Sequence, residues 1–362
     1  MLTVGQEGSP LIEINGGSNL RAVEFAADGE YLVSGGAGVQ VWRLEGGRQM
    51  ATVDSEAEDV LCLAVSNDGR WIAAGTMLGD VFVWDAKTYE KVISHKDNYD
   101  VFGVDFSPDS TRLGVFASGN CTASVWDMAT RKRVQTLHHG DFNLIDSMTA
   151  AKYSPQGDRI ATATLDSVRV WDSKDGRLLV HIPVKVNPWY NTGLLWFNNH
   201  LFVVSDSKIK QLEASTGSAI SEWPVPDSMN LSCIARPKHG KFVAYSTQRT
   251  VTFWDTVTHT QLGLIQHPQD IRSIAVSPDD RFLAIGGRGG KITINSLSPV
   301  IVSLLSHWIV VHTYNFLAPI IFHSIQSLYV VYTPHSRNQT SGLTTLPSTL
   351  GSTINSQTRK HY

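Results

Sequence analysis

Apolar and polar positions along the chain form short alternating runs separated by Gly, Asp, Asn and Pro. The run Gly79–Asp85 sets the pattern, with Val81, Val83 and Asp85 interleaved with Phe82 and Trp84. A period of two, rich in β-branched and aromatic residues, predicts a strand. The run ends in Trp84-Asp85, and that ending recurs at Trp126-Asp127, Trp171-Asp172 and Trp254-Asp255, with Trp42-Arg43 a near copy. Trp42, Trp84 and Trp126 are 42 residues apart, Trp171 follows after 45, and Trp254 lies 83 further on, nearly two periods. Self-similarity at this spacing predicts a repeat architecture with one four-stranded unit per period.

Turns reinforce the register. Ala27-Asp28-Gly29, Asn67-Asp68-Gly69, Pro108-Asp109-Ser110, Pro155-Gln156-Gly157, Asn198-Asn199-His200, Lys238-His239-Gly240 and Pro278-Asp279-Asp280 recur at matching places. Pro presets φ for the first corner of such a turn, and Asp, Asn and Gly tolerate the remaining positions. An apolar second strand follows each turn, as in Tyr31–Ser34, Trp71–Gly75, Arg159–Thr164 and Phe282–Gly286. Seven turns imply seven units. Two units lack the Trp: Leu212 stands in its place 42 residues before Trp254, and Asn295 stands there 41 residues after it. A missing indole costs about 3–5 kcal/mol if the space is not refilled; Leu212 is a plausible refill and Asn295 is not an obvious one.

These Trp-Asp strands and turns resemble the WD40-repeat (β-transducin-like) family over residues 10–295, with a likeness to fungal WD40 proteins in the irregular repeats. The resemblance implies an all-β fold, a seven-bladed β-propeller closed by an N-terminal strand, with an irregular C-terminal tail. Pro10–Asn15 has no first or second strand before it, so the resemblance makes it the outer strand of the seventh blade. Such closure removes free sheet edges within the ring. Trp42, Trp84, Asp85, Trp126, Asp127, Trp171, Asp172, Trp254 and Asp255 are then structural repeat residues. The family's network of Trp, Ser/Thr, His and Asp is eroded here. The Asp slot holds Gly36, Leu78, Asn120, Gln248 and Gly289; Asp206 fits it, Asp166 lies one residue off, and His95, His139 and His267 are candidates for the His.

Composition changes the picture at the C-terminus. All 33 acidic residues lie at or before Asp280, so residues 1–295, with 27 basic residues against them, carry a net charge of −6. An acidic ring lacks the clustered Lys and Arg of a phosphate-backbone binder, and no nucleic-acid partner is expected. Residues 296–362 contain no Asp or Glu, and Pro299–Tyr332 contains no charged residue. Three readings of this tail stay open: sequence that arises from a gene-model error, a disordered or peripherally packed segment, and a membrane anchor over Pro299–Phe322. His307, His312, Tyr314, Asn315 and Pro319 speak against the anchor. The domain reading is therefore a propeller over 1–295 and a tail over 296–362. Cys62, Cys121 and Cys233 are scattered, which suits a reducing compartment, and the N-terminus shows no secretory signal. A cytoplasmic protein, with the nucleus as an alternative, is the expectation.

Candidate chemistry is sparse. No nucleophile elbow, zinc-ligand pair or phosphate loop is found in a suitable context, and Gly286–Gly290 joins two strands rather than a strand to a helix. The expectation is a non-enzymatic scaffold without cofactor or metal, a single ring within a larger complex, binding a protein or peptide. The alternatives are an enzyme with its site at the channel mouth and a membrane-tethered adaptor. The loops leading into each blade are acidic, with Asp54, Glu56, Glu58 and Asp59, then Asp97 and Asp100, Asp141 and Asp146, Asp227, and Asp270, opposed by Lys96 and Arg272. This predicts a surface for a basic or hydrogen-bond-donating partner, as firmly as it predicts plain solvated carboxylates. Tyr99, Phe102, Phe142, Trp189 and Tyr190 are candidate aromatic contacts, with Trp189 and Tyr190 equally suited to plugging the irregular fifth blade.

Overall fold

The computed structural model describes residues 10–54, 57, 59–117, 122–138, 148–186, 193–205, 208–225, 231–235, 237 and 240–298. The chain divides into two units, Met1–Trp308 and Ile309–Tyr362, and every described residue lies in the first. The tail positions discussed above, from Pro299 onward, lie outside the described residues.

Seven antiparallel four-stranded sheets form a seven-bladed propeller. The first blade shows the plan, with inner strand Ala22–Phe25, second strand Tyr31–Gly36, third strand Gly38–Arg43 and outer strand Arg48–Asp54. The remaining inner strands are Val60–Val65, Val101–Phe106, Met148–Tyr153, Leu194–Phe197, Leu231–Ala235 and Ile271–Val276. The seventh blade takes its outer strand from the N-terminus: Ile12–Asn15 pairs antiparallel with Lys291–Ser296, in the register Ile12 opposite Ile294 and Ile14 opposite Ile292. Pairing the chain's beginning with its last blade satisfies the edge that the third strand would otherwise expose.

The spacing of the Trp residues reappears as a rung of the sheets. Trp42 faces Leu32, Trp84 faces Ile72, Trp126 faces Leu113, Trp171 faces Ile160 and Trp254 faces Val243 across the second and third strands. Leu212 faces Leu201 and Asn295 faces Leu283 on the same rung, so both assignments of the slot hold. Leu212 is 3% exposed, within an apolar cluster shared with Trp196 and Leu201. Asn295 is buried and its amide donates to Thr293 Oγ1 at 3.1 Å, which makes the polar refill tolerable.

Outer strands of the first six blades each carry a register shift beside this rung. The extra residues include Met50, Val134, Leu179 and Ile220, all exposed. A bulge twists the outermost edge away from flat pairing, and so blunts the edge that a second chain could extend.

A repeated device sets the hairpins between inner and second strands. Ser66, Ser107 and Ser277 donate to Asp68, Asp109 and Asp279 at 2.6 Å, and each hydroxyl accepts the N–H of the first residue of the strand beyond, Trp71, Arg112 or Phe282, at 2.9 Å. Ser154 does the same through Asp158 and Arg159. The turn at Asn198-Asn199 is tighter than the sequence suggests, because His200 already begins the second strand His200–Ser205. Of the turn Lys238-His239-Gly240, only Gly240 is among the described residues.

Candidate functional site

Strand direction places the turns between second and third strands on one face, together with the loops that lead from each outer strand into the next blade. Backbone hydrogen bonds tie the two sets together. Met77 N donates to Asp59 O at 3.0 Å, Asp97 N to Gly79 O at 2.7 Å, and Arg288 N to Asp270 O at 2.7 Å. Gly79 has φ +88° and a Cβ there would lie 2.4 Å from Asp97 O and 2.9 Å from Tyr99 O. Only glycine allows the second blade's turn to approach the loop backbone so closely. The result is a rigid frame on which Leu78 (58% exposed) and Tyr99 (38% exposed) flank the contact, with Asp97 and Asp100 half-buried beside them.

The predicted set of acidic and aromatic contacts divides. Asp59, Asp97, Tyr99 and Asp100 occupy this face, while Glu56, Glu58, Asp141, Phe142, Asp146, Trp189, Tyr190 and Asp227 lie outside the described residues. Phe102 belongs to the inner strand Val101–Phe106 and is half-buried. Two acids are corrected. Asp54 ends an outer strand, with its side chain 8% exposed and in contact with Lys91 Nζ at 2.7 Å, so it offers no free carboxylate to a partner. Asp270 is paired with Arg249 Nε at 3.0 Å, a cation 21 residues away along the chain that local sequence does not link to it. Lys96 binds Asp80 at 3.0 Å rather than screening Asp97 or Asp100.

The Trp-Asp pairs hold the opposite end of each blade. Asp85 Oδ1 accepts the N–H of Lys87 and Thr88 at 3.0 Å, Asp127 accepts Thr130 N at 2.7 Å, Asp172 accepts Lys174 N at 2.8 Å, and Asp255 accepts Val257 N at 2.7 Å. These backbone donors hold the carboxyls of Asp85, Asp127 and Asp172 below the usual range, since they bond the ionised form more strongly than the neutral one.

The indoles find various acceptors. Trp42 and Trp171 donate to Ser34 and Thr162 on the second strand at 2.8 and 2.7 Å, as the resemblance implies. Ser124 on the third strand serves Trp126 at 3.2 Å, Tyr245 serves Trp254 at 3.1 Å, and Ala74 in the second blade offers no hydroxyl. His95 lies within the outer strand Lys91–Lys96, not ahead of an inner strand, and packs on Trp126 with ring centroids 5.0 Å apart. His267 is buried, with Nδ1 2.9 Å from Gln269 O, and burial lowers its pKa. Asp166 accepts Thr164 Oγ1 at 3.0 Å; Asp206 and His139 lie outside the described residues. Among the described residues no group of three or more His, Cys, Asp or Glu is placed to hold a metal ion, and no helix is long and apolar enough to cross a membrane.

Seven four-stranded blades, four of them with third strands that end in Trp-Asp, define a WD-repeat β-propeller. Residues 17–200 match the family described as "Nucleolar protein 10-like, N-terminal domain", and residues 258–294 match the "WD domain, G-beta repeat". The chain belongs to this WD40 β-propeller family. It is 37% identical over 93 residues to WD repeat-containing protein 1 of Xenopus tropicalis, covering 25% of this chain and 15% of that protein. It is 25% identical over 256 residues to the Periodic tryptophan protein 2 homolog of Dictyostelium discoideum, covering 69% of this chain and 26% of the relative. The chain thus spans only a fraction of the length of these curated relatives. The crystal structure of the β-propeller domain of Cps50 (Swd1) from Myceliophteria thermophila superposes with a TM-score of 0.67 at 18% identity, over 78% of this chain and 98% of that one, which shows the shared fold. WD-repeat propellers typically act as protein-interaction scaffolds.

Proposed function

We propose that this chain is a non-enzymatic scaffold whose loop face receives a basic or hydrogen-bond-donating segment of a partner protein. The observation that carries this reading is the backbone-locked frame of Gly79, Asp97 and Tyr99, which presents Leu78 and Tyr99 beside Asp97 and Asp100, two carboxylates with no ion-pair partner among the described residues. Apolar anchors within an acidic rim supply contact area together with electrostatic steering. The charge of residues 1–295 supports a protein rather than a nucleic-acid partner. A single ring within a larger complex, in a reducing cytoplasmic or nuclear compartment, fits the free thiols of Cys62 and Cys233.

The test is binding of the full chain to arrayed peptides of graded net charge. The proposal expects Lys- and Arg-rich peptides to be retained in a salt-sensitive way, and the double variant D97K/D100K to lose that preference, with association slowed by roughly tenfold. Retention independent of peptide charge, or unchanged in the variant, would count against it.

A further inference from the structure

Six inner strands supply a cavity of about 760 Å³ at the channel end that carries the hairpin turns, opposite the acidic loop face. Glu24, Asp105, Lys152, Trp196, Ile234 and Ala275, all in its lining, are each the next-to-last residue of their inner strand. The lining has polar and apolar members. Lys152 Nζ is bound to Asp105 Oδ1 at 3.0 Å, and Asp105 Oδ2 accepts Tyr153 N at 2.8 Å. Glu24 accepts no hydrogen bond from the described residues, although it faces the same cavity. Trp196, Phe197 and Ile274 supply apolar lining to it.

Charges facing Glu24 come from the third and fourth blades. Asp105 and Lys152 are the other charged side chains of the cavity lining among the described residues. Burial, opposed by Lys152 and reinforced by Asp105, pushes the Glu24 carboxyl up to about 7. Burial works against the Lys152 charge, but Asp105 and Glu24 outweigh it and hold that amine's pKa up. Tyr153 is pushed upward by burial and by Asp105, and Cys62 on the second blade's inner strand is pushed up to about 12, so both stay neutral. With Lys152 committed to Asp105, an ionised Glu24 leaves the cavity one negative charge in excess.

A second cavity of about 330 Å³ runs between the fourth and fifth blades and shares Ser154, Trp196 and Asn198 with the first. A ligand can therefore extend radially from the channel along the same face. We propose that this channel end binds an extended partner peptide, with a lysine ammonium placed on Glu24 and a neighbouring apolar side chain against Trp196, Phe197 and Ile274. Charge complementarity selects the cation, and the connected side cavity selects a peptide over a small amine.

Isothermal titration of the full chain with acetyl-Leu-Lys-Leu-amide, its norleucine counterpart and butylamine tests this. The lysine peptide should bind, with affinity rising about tenfold between about pH 6 and about pH 8 as Glu24 ionises. Glu24→Gln should weaken binding by roughly tenfold or more and remove the pH dependence, because the charged acceptor is gone. D97K/D100K, on the opposite face, should leave it unchanged, so failure here is distinct from failure of the loop-face proposal. As a measurement on the unmutated chain, ¹³C-carboxyl NMR should show the Glu24 titration moving to lower pH on peptide addition. Absence of binding at millimolar peptide, equal binding of the norleucine peptide, or an unmoved Glu24 titration would overturn the proposal. Butylamine binding as tightly as the peptide would overturn the peptide assignment.

Discussion

Ile12 stands directly opposite Ile294, so the first described strand of the chain completes the last blade. Beside that pair, Ile14 is 3% exposed in a cluster with Leu20, Trp42 and Ile292, which joins the first and seventh blades. Ring closure is thus an apolar contact as well as a ladder of backbone hydrogen bonds.

Ile14→Ala should therefore destabilise the propeller by about 2–4 kcal/mol, through lost burial and the cavity left behind. Lys291→Ala, which removes an exposed pair with Glu13 at 2.8 Å on the same strands, should cost less than about 1 kcal/mol. Urea unfolding of both variants checks the contrast; equal effects would mean that closure is not an apolar event.

Trp84 is 1% exposed, and Trp84→Ala should cost about 3–5 kcal/mol. Leu212 fills the equivalent rung within a closed cluster, so Leu212→Trp should also destabilise, by about 1–3 kcal/mol, by overpacking a space built for leucine. A stabilising Leu212→Trp, measured as a raised thermal midpoint, would show that the fifth blade carries an unfilled indole slot.

Gly69 turns the hairpin of the second blade at φ +70°, and a Cβ there would meet Ala27 Cβ at an ordinary 3.6 Å. Gly69→Ala should cost about 1 kcal/mol from backbone conformation alone, with no clash. Gly79→Ala should cost clearly more, since its Cβ would meet the Asp97 carbonyl at 2.4 Å. Denaturation midpoints of the two variants should separate these causes.

Glu24 gives stability a pH dependence of definite sign. Its folded pKa, about 7, lies above the ordinary 4.5, so the folded state binds more protons in that window. Its contribution is fully present below about pH 4.5 and is lost as pH rises through about 7. Glu24→Gln should therefore gain stability relative to the parent at about pH 8, by about 1–3 kcal/mol, and little at about pH 5. Chemical denaturation at the two pH values measures it; a gain that is the same at both would remove Glu24 as the cause.

Local chemistry made much of this protein readable from the chain. Alternation and β-branched content marked the third strands, Asp and Gly marked the hairpins, and the 42-residue spacing located even Leu212 and Asn295 on the Trp rung. These signals are local because backbone conformation and strand amphipathicity are decided within a few residues. The closing strand was legible for a different reason: the family resemblance makes the Trp strand the third of each blade, and so implies Pro10–Asn15 as the outer strand of the seventh. Charge pairing was not legible. Asp54 meets Lys91 and Asp270 meets Arg249 only after blades and loops pack, so counting acids overstated the free charge of the loop face. Likewise Glu24, Asp105 and Lys152 lie 47 to 128 residues apart, and nothing in their neighbours marks them. The ring brings them to one layer because each occupies the same place on its inner strand, and closure then removes enough water to raise the Glu24 pKa. The sequence by itself determined the strands, the turns and the number of blades; the tertiary structure decided which charges are neutralised and which face a cavity, because Coulomb energies depend on distance and burial across blades rather than on position along the chain.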